Sequence, residues 1–265
     1  MRAMVLKVNG ILLCILFLMA GYVPASAQET IVAVADRWMP YNGRAGSSEE
    51  GYAVEILRAI FEPMGHRVEY REMPWKRAIE DVLAGKADIL IGSLKSDNSK
   101  YLFPKETLGK DLMCFYTNRP DWKFIGPESL AGVRIGLVKG YIYREWVLER
   151  LRLSPHQFHI MHGDEPVVRL LGMLKDNRIQ VMPGNKAVVE YYVKTLGLEK
   201  DVHLAGCFTD TKEKYLYFAL SPAQPERSKA LGASLDKGIS LMRKTGQLNH
   251  LLIKYGLKDW VRLRK

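Results

Sequence analysis

Three histidines spaced by three, His156, His159 and His162, are residues whose type and spacing could do chemistry, because imidazoles on one face can ligate a metal. On a helix that spacing roughly shares a face. However, Phe158 to His162 reads as a strand, which splits alternate side chains between two faces. No Cys-x-x-Cys or His-Glu-x-x-His pattern accompanies them, so neither a metal nor another cofactor is expected. An acid–base enzyme would need a carboxyl or histidine in its pocket. Asp36 and Glu55 could serve, but Glu55 falls within a helical pattern and reads as lying near the hinge or surface. Cys114 and Cys207 could form one disulfide in an oxidising compartment or remain as two buried thiols.

The N-terminus bears on that compartment. Arg2 and Lys7 precede an apolar run from Ile11 to Ala20, broken only by Cys14, and Ala25-Ser26-Ala27 stands before Gln28. A basic start, a short greasy core and an A-x-A site make a cleavable secretory signal. The core is shorter than the roughly 20 residues that span a bilayer. Cleavage is expected between Ala27 and Gln28, which leaves 238 of the 265 residues in an exported, soluble, monomeric protein of the periplasm. That length suits one large domain or two small ones. The leader carries two basic residues and no acid, so the net charge falls from +10 to +8. Lys and Arg are scattered through amphipathic segments without a long run, which argues against a nucleic-acid partner. In an exported protein such a surface gives solubility and attracts anionic solutes.

The elements that must position any site alternate. Thr30 to Ala35 reads as a buried strand, Tyr52 to Met64 as an amphipathic helix and His66 to Glu72 as a strand. Trp75 to Ala84 is a second helix stopped by Gly85, and Ala87 to Ser93 a third strand. The pattern then restarts. Strands are predicted over Gly132 to Val138, Phe158 to His162 and Ile179 to Met182, with helices over Tyr143 to Leu151, Val167 to Lys175 and Lys186 to Leu196. Two extended segments, Asp111 to Asn118 and Lys214 to Ser221, flank this second half. The tail from Glu226 to Tyr255 is helical and broken at Gly246. The fold class is therefore α/β, with two mostly parallel sheets joined by a two-strand hinge and a cleft at the carboxyl ends of the strands.

The motifs now quoted, in this order and spacing, resemble the family 3 extracellular solute-binding proteins over essentially the whole mature chain. They are Val34-Ala35-Asp36-Arg37-Trp38-Met39-Pro40-Tyr41, Gly51-Tyr52-Ala53-Val54-Glu55-Ile56, Met73-Pro74-Trp75-Lys76-Arg77-Ala78 and Gly85-Lys86-Ala87-Asp88-Ile89-Leu90-Ile91-Gly92. The series ends with Arg243-Lys244-Thr245-Gly246-Gln247-Leu248 and Ile253-Lys254-Tyr255-Gly256. The resemblance implies a type II periplasmic binding protein, in which two lobes close around a ligand and the C-terminus rejoins the first lobe. Lobe 1 is expected over 28–111 plus 217–265, and lobe 2, inserted, over 112–216. The implied partners are a small-molecule ligand and a membrane ABC transporter permease, or a sensor kinase or chemoreceptor in its place. Some proteins of this fold are dehydratases of ring acids; no activity is expected here.

The resemblance also nominates ligand contacts. Trp38, with Tyr41 nearby, stands where an aromatic stacks on the ligand, and Trp75 where another wall lies. Such faces suit planar or cationic groups. Gly92, Ser93 and Lys95 match the hydrogen-bonding turn after the third strand. Ile142 and Tyr143 match the strand-to-helix turn whose amides receive a carboxylate. Lys100 stands where amino-acid receptors carry a bidentate Arg, and Asn185 where they carry an Asp for the ammonium. Lysine still suits an acid, though only as a point charge. Asn185 supplies no counter-charge, so the expected ligand is a small organic anion or a modified amino-acid-like compound.

Overall fold

The structure is a computed structural model that describes residues 28–96, 100–208 and 214–261. The expected leader, residues 1–27, lies outside the described residues. The β-branched run Thr30–Ala35 forms β1, buried because strands flank it on both sides. β2 (Arg67–Glu72) and β3 (Ile89–Leu94) pair with it in parallel. The crossovers between them carry helices α1 (Tyr52–Phe61) and α2 (Trp75–Leu83). Gly65 and Gly85, both at positive φ, end these segments where the expected Met64 and Gly85 stops lie.

After β3 the chain adds β4 (Gly109–Lys110) and crosses to a second sheet, entering it as β5 (Met113–Thr117). There follow β6 (Ile135–Val138), α3 (Glu145–Leu153), β7 (Phe158–Met161), α4 (Pro166–Lys175), β8 (Val181–Asn185), α5 (Lys186–Thr195) and β9 (His203–Cys207). β10 (Tyr215–Leu220) then rejoins the first sheet. The strand orders are β2-β1-β3-β10-β4 and β7-β6-β8-β5-β9. Each sheet is mixed, with a three-strand parallel part and antiparallel strands at the crossing side. The return begins at Tyr215, two residues before the boundary expected at 217, because Tyr215 and Leu216 already pair with Lys110 and Gly109.

Two further details depart from the sequence reading. Strand β9 has no alternation to reveal it and exists through its pairing with β5. Helix α3 starts at Glu145 instead of Tyr143. Gly140 turns the chain at φ 86°, and the Tyr143 hydroxyl accepts the Val138 amide at 2.8 Å, which holds residues 141–144 outside the helix.

The tail, α6 (Pro225–Lys244) and α7 (Gln247–Lys254), packs back on α1. A side chain at Gly238 would meet Ile60 at 2.5 Å, so glycine permits the close approach of the two helices. Lys254 pairs with Glu55 at 2.7 Å, and the Gly51 amide donates to the Tyr255 hydroxyl at 3.2 Å. Arg227 pairs with Asp88 at 2.7 Å, tying α6 to the start of β3.

Cys114 and Cys207 face each other across β5 and β9 and are joined by a disulfide. It closes a loop of sequence separation 93, so its loss frees a large part of lobe 2 in the unfolded chain. A Cys114→Ser/Cys207→Ser double variant should lose about 2–4 kcal/mol in urea unfolding. A loss under about 1 kcal/mol would show that the strands do not need the staple.

Candidate functional site

The first strand ends at Ala35, and the next residues form the floor of a cleft. Asp36 leaves the sheet, and Trp38 to Asn42 make a tight turn in which the Trp38 amide donates to the Asn42 carbonyl at 2.8 Å. Buried Asn42 fixes this turn from below, its side-chain amide donating to the Asp36 carbonyl. Trp38 stacks on Tyr41 at 4.9 Å, and Tyr41 rests on Tyr52 at 5.0 Å. Tyr52 donates to the Leu108 carbonyl at 2.7 Å. The floor is thus an aromatic column anchored to the lobe 1 core.

Gly92 faces the Trp38 ring. Its φ of 86° is left-handed, and β10 skips it, pairing Tyr217 with Ser93 and Phe218 with Ile91. Gly92 is therefore a bulge inside β3, not the turn after it, and its missing side chain leaves space beside Trp38. From lobe 2, Tyr141 and Ile142 descend on the loop between β6 and α3. Tyr141 meets Trp38 edge-on at 6.5 Å.

Between these surfaces lies about 520 Å3 of empty space, part of it open to solvent. Its walls are Trp38, Trp75, Gly92, Leu94 and Leu216 from lobe 1, Met113, Tyr141 and Ile142 from lobe 2, and the carboxylates Asp36 and Asp111. Among the described residues, several polar contacts bridge the lobes. The Tyr141 hydroxyl donates to Asp36 Oδ2 at 2.8 Å. The Met39 amide donates to the Tyr192 hydroxyl at 3.4 Å, and Asn185 Nδ2 donates to Asp111 Oδ1 at 2.9 Å. Arg37 reaches across to Glu165 while holding Glu72 at 2.8 Å.

The expected site residues divide. Trp38, Trp75, Gly92 and Ile142 line the cavity. Tyr41 is buried beneath Trp38. Ser93 is fully buried, its hydroxyl on the Leu94 carbonyl. Lys95 lies over the Tyr217 ring at 4.5 Å. Lys100 is exposed and is not among the lining residues. Tyr143 packs into the lobe 2 core, and the amides of Ile142 and Tyr143 precede α3, so they are not first-turn donors. Asn185 caps α5, its side-chain oxygen accepting the Ala187 amide at 3.0 Å, which explains an amide side chain there without a ligand.

Asp36, Leu94, Asp111, Met113, Tyr141 and Leu216 are the lining residues not nominated as contacts. From the sequence Asp36 reads only as a candidate acid. Burial pushes the Asp36 carboxyl up to about 6 from 3.8; the Tyr141 hydroxyl opposes this and nearby Glu72 adds to it. Burial likewise raises the Tyr141 phenol well above its ordinary value, so it remains a donor at neutral pH. Glu55, the other candidate acid, is engaged by Lys254 and Tyr255 away from the cavity. Among the described residues no three His, Cys, Asp or Glu side chains converge as a metal site.

Comparison with known proteins accords with this geometry. The model of the bacterial extracellular solute-binding proteins, family 3, matches residues 30–258, and the chain belongs to that family. No curated protein matches. Among solved structures, one from work on glutathione import through the cystine ABC importer of Streptococcus mutans has a TM-score of 0.72 at 19% identity, covering 89% of this chain and 98% of that one. A histidine kinase sensor domain similar to periplasmic binding proteins has a TM-score of 0.70 at 23% identity, covering 87% and 98%. An arginine-specific periplasmic binding protein of Salmonella typhimurium has a TM-score of 0.67 at 14% identity, covering 86% and 99%. These likenesses show the type II periplasmic binding protein fold.

A carboxyl whose folded pKa is raised favours the fold most when protonated. Its contribution is full below 3.8, is lost as pH rises to about 6, and is constant above that. Asp36→Asn should therefore gain stability over the native protein between pH 4 and pH 7 and then hold level, read from urea midpoints. Parallel curves across that range would contradict the raised carboxyl.

Proposed function

We propose that this family 3 solute-binding protein captures a small polar molecule between its lobes in the periplasm and delivers it to a membrane ABC transporter. The observation that carries this reading is the cavity itself, whose walls come from both lobes and whose contacts cross between them. A ligand touching both lobes is bound fully only when they are closed, so its binding energy drives closure.

The neighbours support capture of a small solute: one structure concerns glutathione import and another binds arginine. The sensor domain among them motivates a second reading, in which the closed form engages a kinase. Both readings share the cavity and differ in partner. Co-purification of the liganded protein with its permease favours delivery, and capture by a sensor domain alone favours signalling. Enzymatic turnover finds little support: Asp36 is the candidate acid on the cavity wall, and its Oδ2 is engaged by Tyr141.

A thermal-shift screen of residues 28–265 against amino acids, polyamines, organic acids and aromatic acids tests capture. A ligand at 1,000 times its Kd adds about 4 kcal/mol, hence a rise of about 10 °C. Trp38→Ala, folded by circular dichroism, should weaken that ligand at least tenfold. A screen without any shift, or affinity untouched by the loss of Trp38, would contradict a site in this cavity.

A further inference from the structure

Lys100 suggests an anion from the sequence, yet the charged residues that line the cavity are acids. Among the described residues no Lys, Arg or His lines it, and both charged residues that do, Asp36 and Asp111, are acids. Arg37, next to Asp36 in the chain, is taken up by Glu72 and Glu165. Asp36 is therefore a carboxylate facing an aromatic cavity, with its Oδ2 on Tyr141. From the capture reading above and this lining we infer that the ligand is an organic cation without a free carboxylate, whose positive group rests on Asp36 against the Trp38 ring.

The chemistry follows from what each wall offers. Trp38 lines the cavity beside Gly92, which carries no side chain, and an indole ring attracts an ammonium or guanidinium. The Asp36 carboxylate is the charge partner, and the Tyr141 hydroxyl orients it by donating to one oxygen. Trp75, Leu94, Met113, Ile142 and Leu216 offer the rest of the ligand an apolar surface. An α-amino acid would have its ammonium answered by Asp36, while among the described lining residues no cationic side chain answers its carboxylate. The class that fits is an amine, guanidine or quaternary ammonium on an apolar or aromatic body.

The groups facing Asp36 decide its pH response. They are the Tyr141 phenol from lobe 2, Glu72 on β2 and Tyr70 on the same strand, with Arg37 beside it and Asp111 across the cavity. The phenols stay protonated, because burial holds both above their ordinary values. Asp36, raised to about 6, therefore supplies its charge above that pH and withdraws it below. A permanently charged cation should bind tenfold more weakly for each pH unit below about 6.

The test is calorimetry on residues 28–265 with matched sets at pH 7.5. Phenethylamine is compared with phenylalanine and phenylacetate, and agmatine with arginine and 4-guanidinobutyrate; choline and spermidine extend the cations. The inference predicts that a cation binds at least tenfold more tightly than its carboxylate-bearing partners. Asp36→Asn should abolish that preference, and Lys100→Ala should leave it intact. If Asp36→Asn does not fold, the pH series on the native protein reads the same charge. Carboxylates binding as well as cations, or affinity flat between pH 4.5 and 7.5, would overturn the charge assignment while capture stands. Failure of every compound of both charge types would overturn the capture reading as well.

Discussion

The hydrogen bond from Tyr141 to Asp36 joins residues 105 positions apart and stands at the centre of the cleft. It exists because β1 ends at Ala35, which frees Asp36 from the sheet, and because Gly140 turns the chain after β6 toward the other lobe. Around it the rest of the site takes its place. Asn42 holds the backbone of Asp36, Trp38 covers one flank and Glu72 lies close enough to weaken the carboxylate's charge. A half-buried carboxylate needs a partner to stay ionised, and here the partner lies on the opposite lobe. The electrostatics of the site thus depend on how the two lobes meet.

Much of the fold was legible because strand and helix patterns repeat twice, and the observed elements fall within a few residues of that reading. What escaped was set by pairing and not by pattern. β9 is short and irregular and pairs with β5 from a distance in sequence. The antiparallel strands that make both sheets mixed are the crossing segments themselves. Tyr143 reads as a helical residue in the sequence, but its hydroxyl accepts the Val138 amide and holds it ahead of the helix.

The site was legible by halves. Trp38, Trp75, Gly92 and Ile142 could be nominated because family-like motifs surround them, and they do line the cavity. Tyr41, Ser93, Tyr143 and Asn185 share those motifs but serve the framework: a buried stack, a strand core, a lobe core and a helix cap. Asp36 and Asp111 meet only across the folded cavity, and no local signal announces that. Net charge does not describe the cavity either. The chain is basic overall, +10, while the lining of its cavity carries only acids among the described residues. Surface charge describes what the protein attracts at long range, and the few groups in a pocket decide what it holds.

The central claim is that the lobes close over a ligand held by both, and a distance across the cleft tests it most directly. Spin labels at exposed Lys76 on α2 and exposed Leu153 on α3 would report the lobe-to-lobe separation by pulsed dipolar spectroscopy. The account predicts a broad distribution with a longer, open component without ligand. At saturation with the tightest-binding compound of the matched sets, it predicts a narrow one at the separation seen in this structure. A single distribution, unchanged by a compound that binds, would contradict closure as the means of capture.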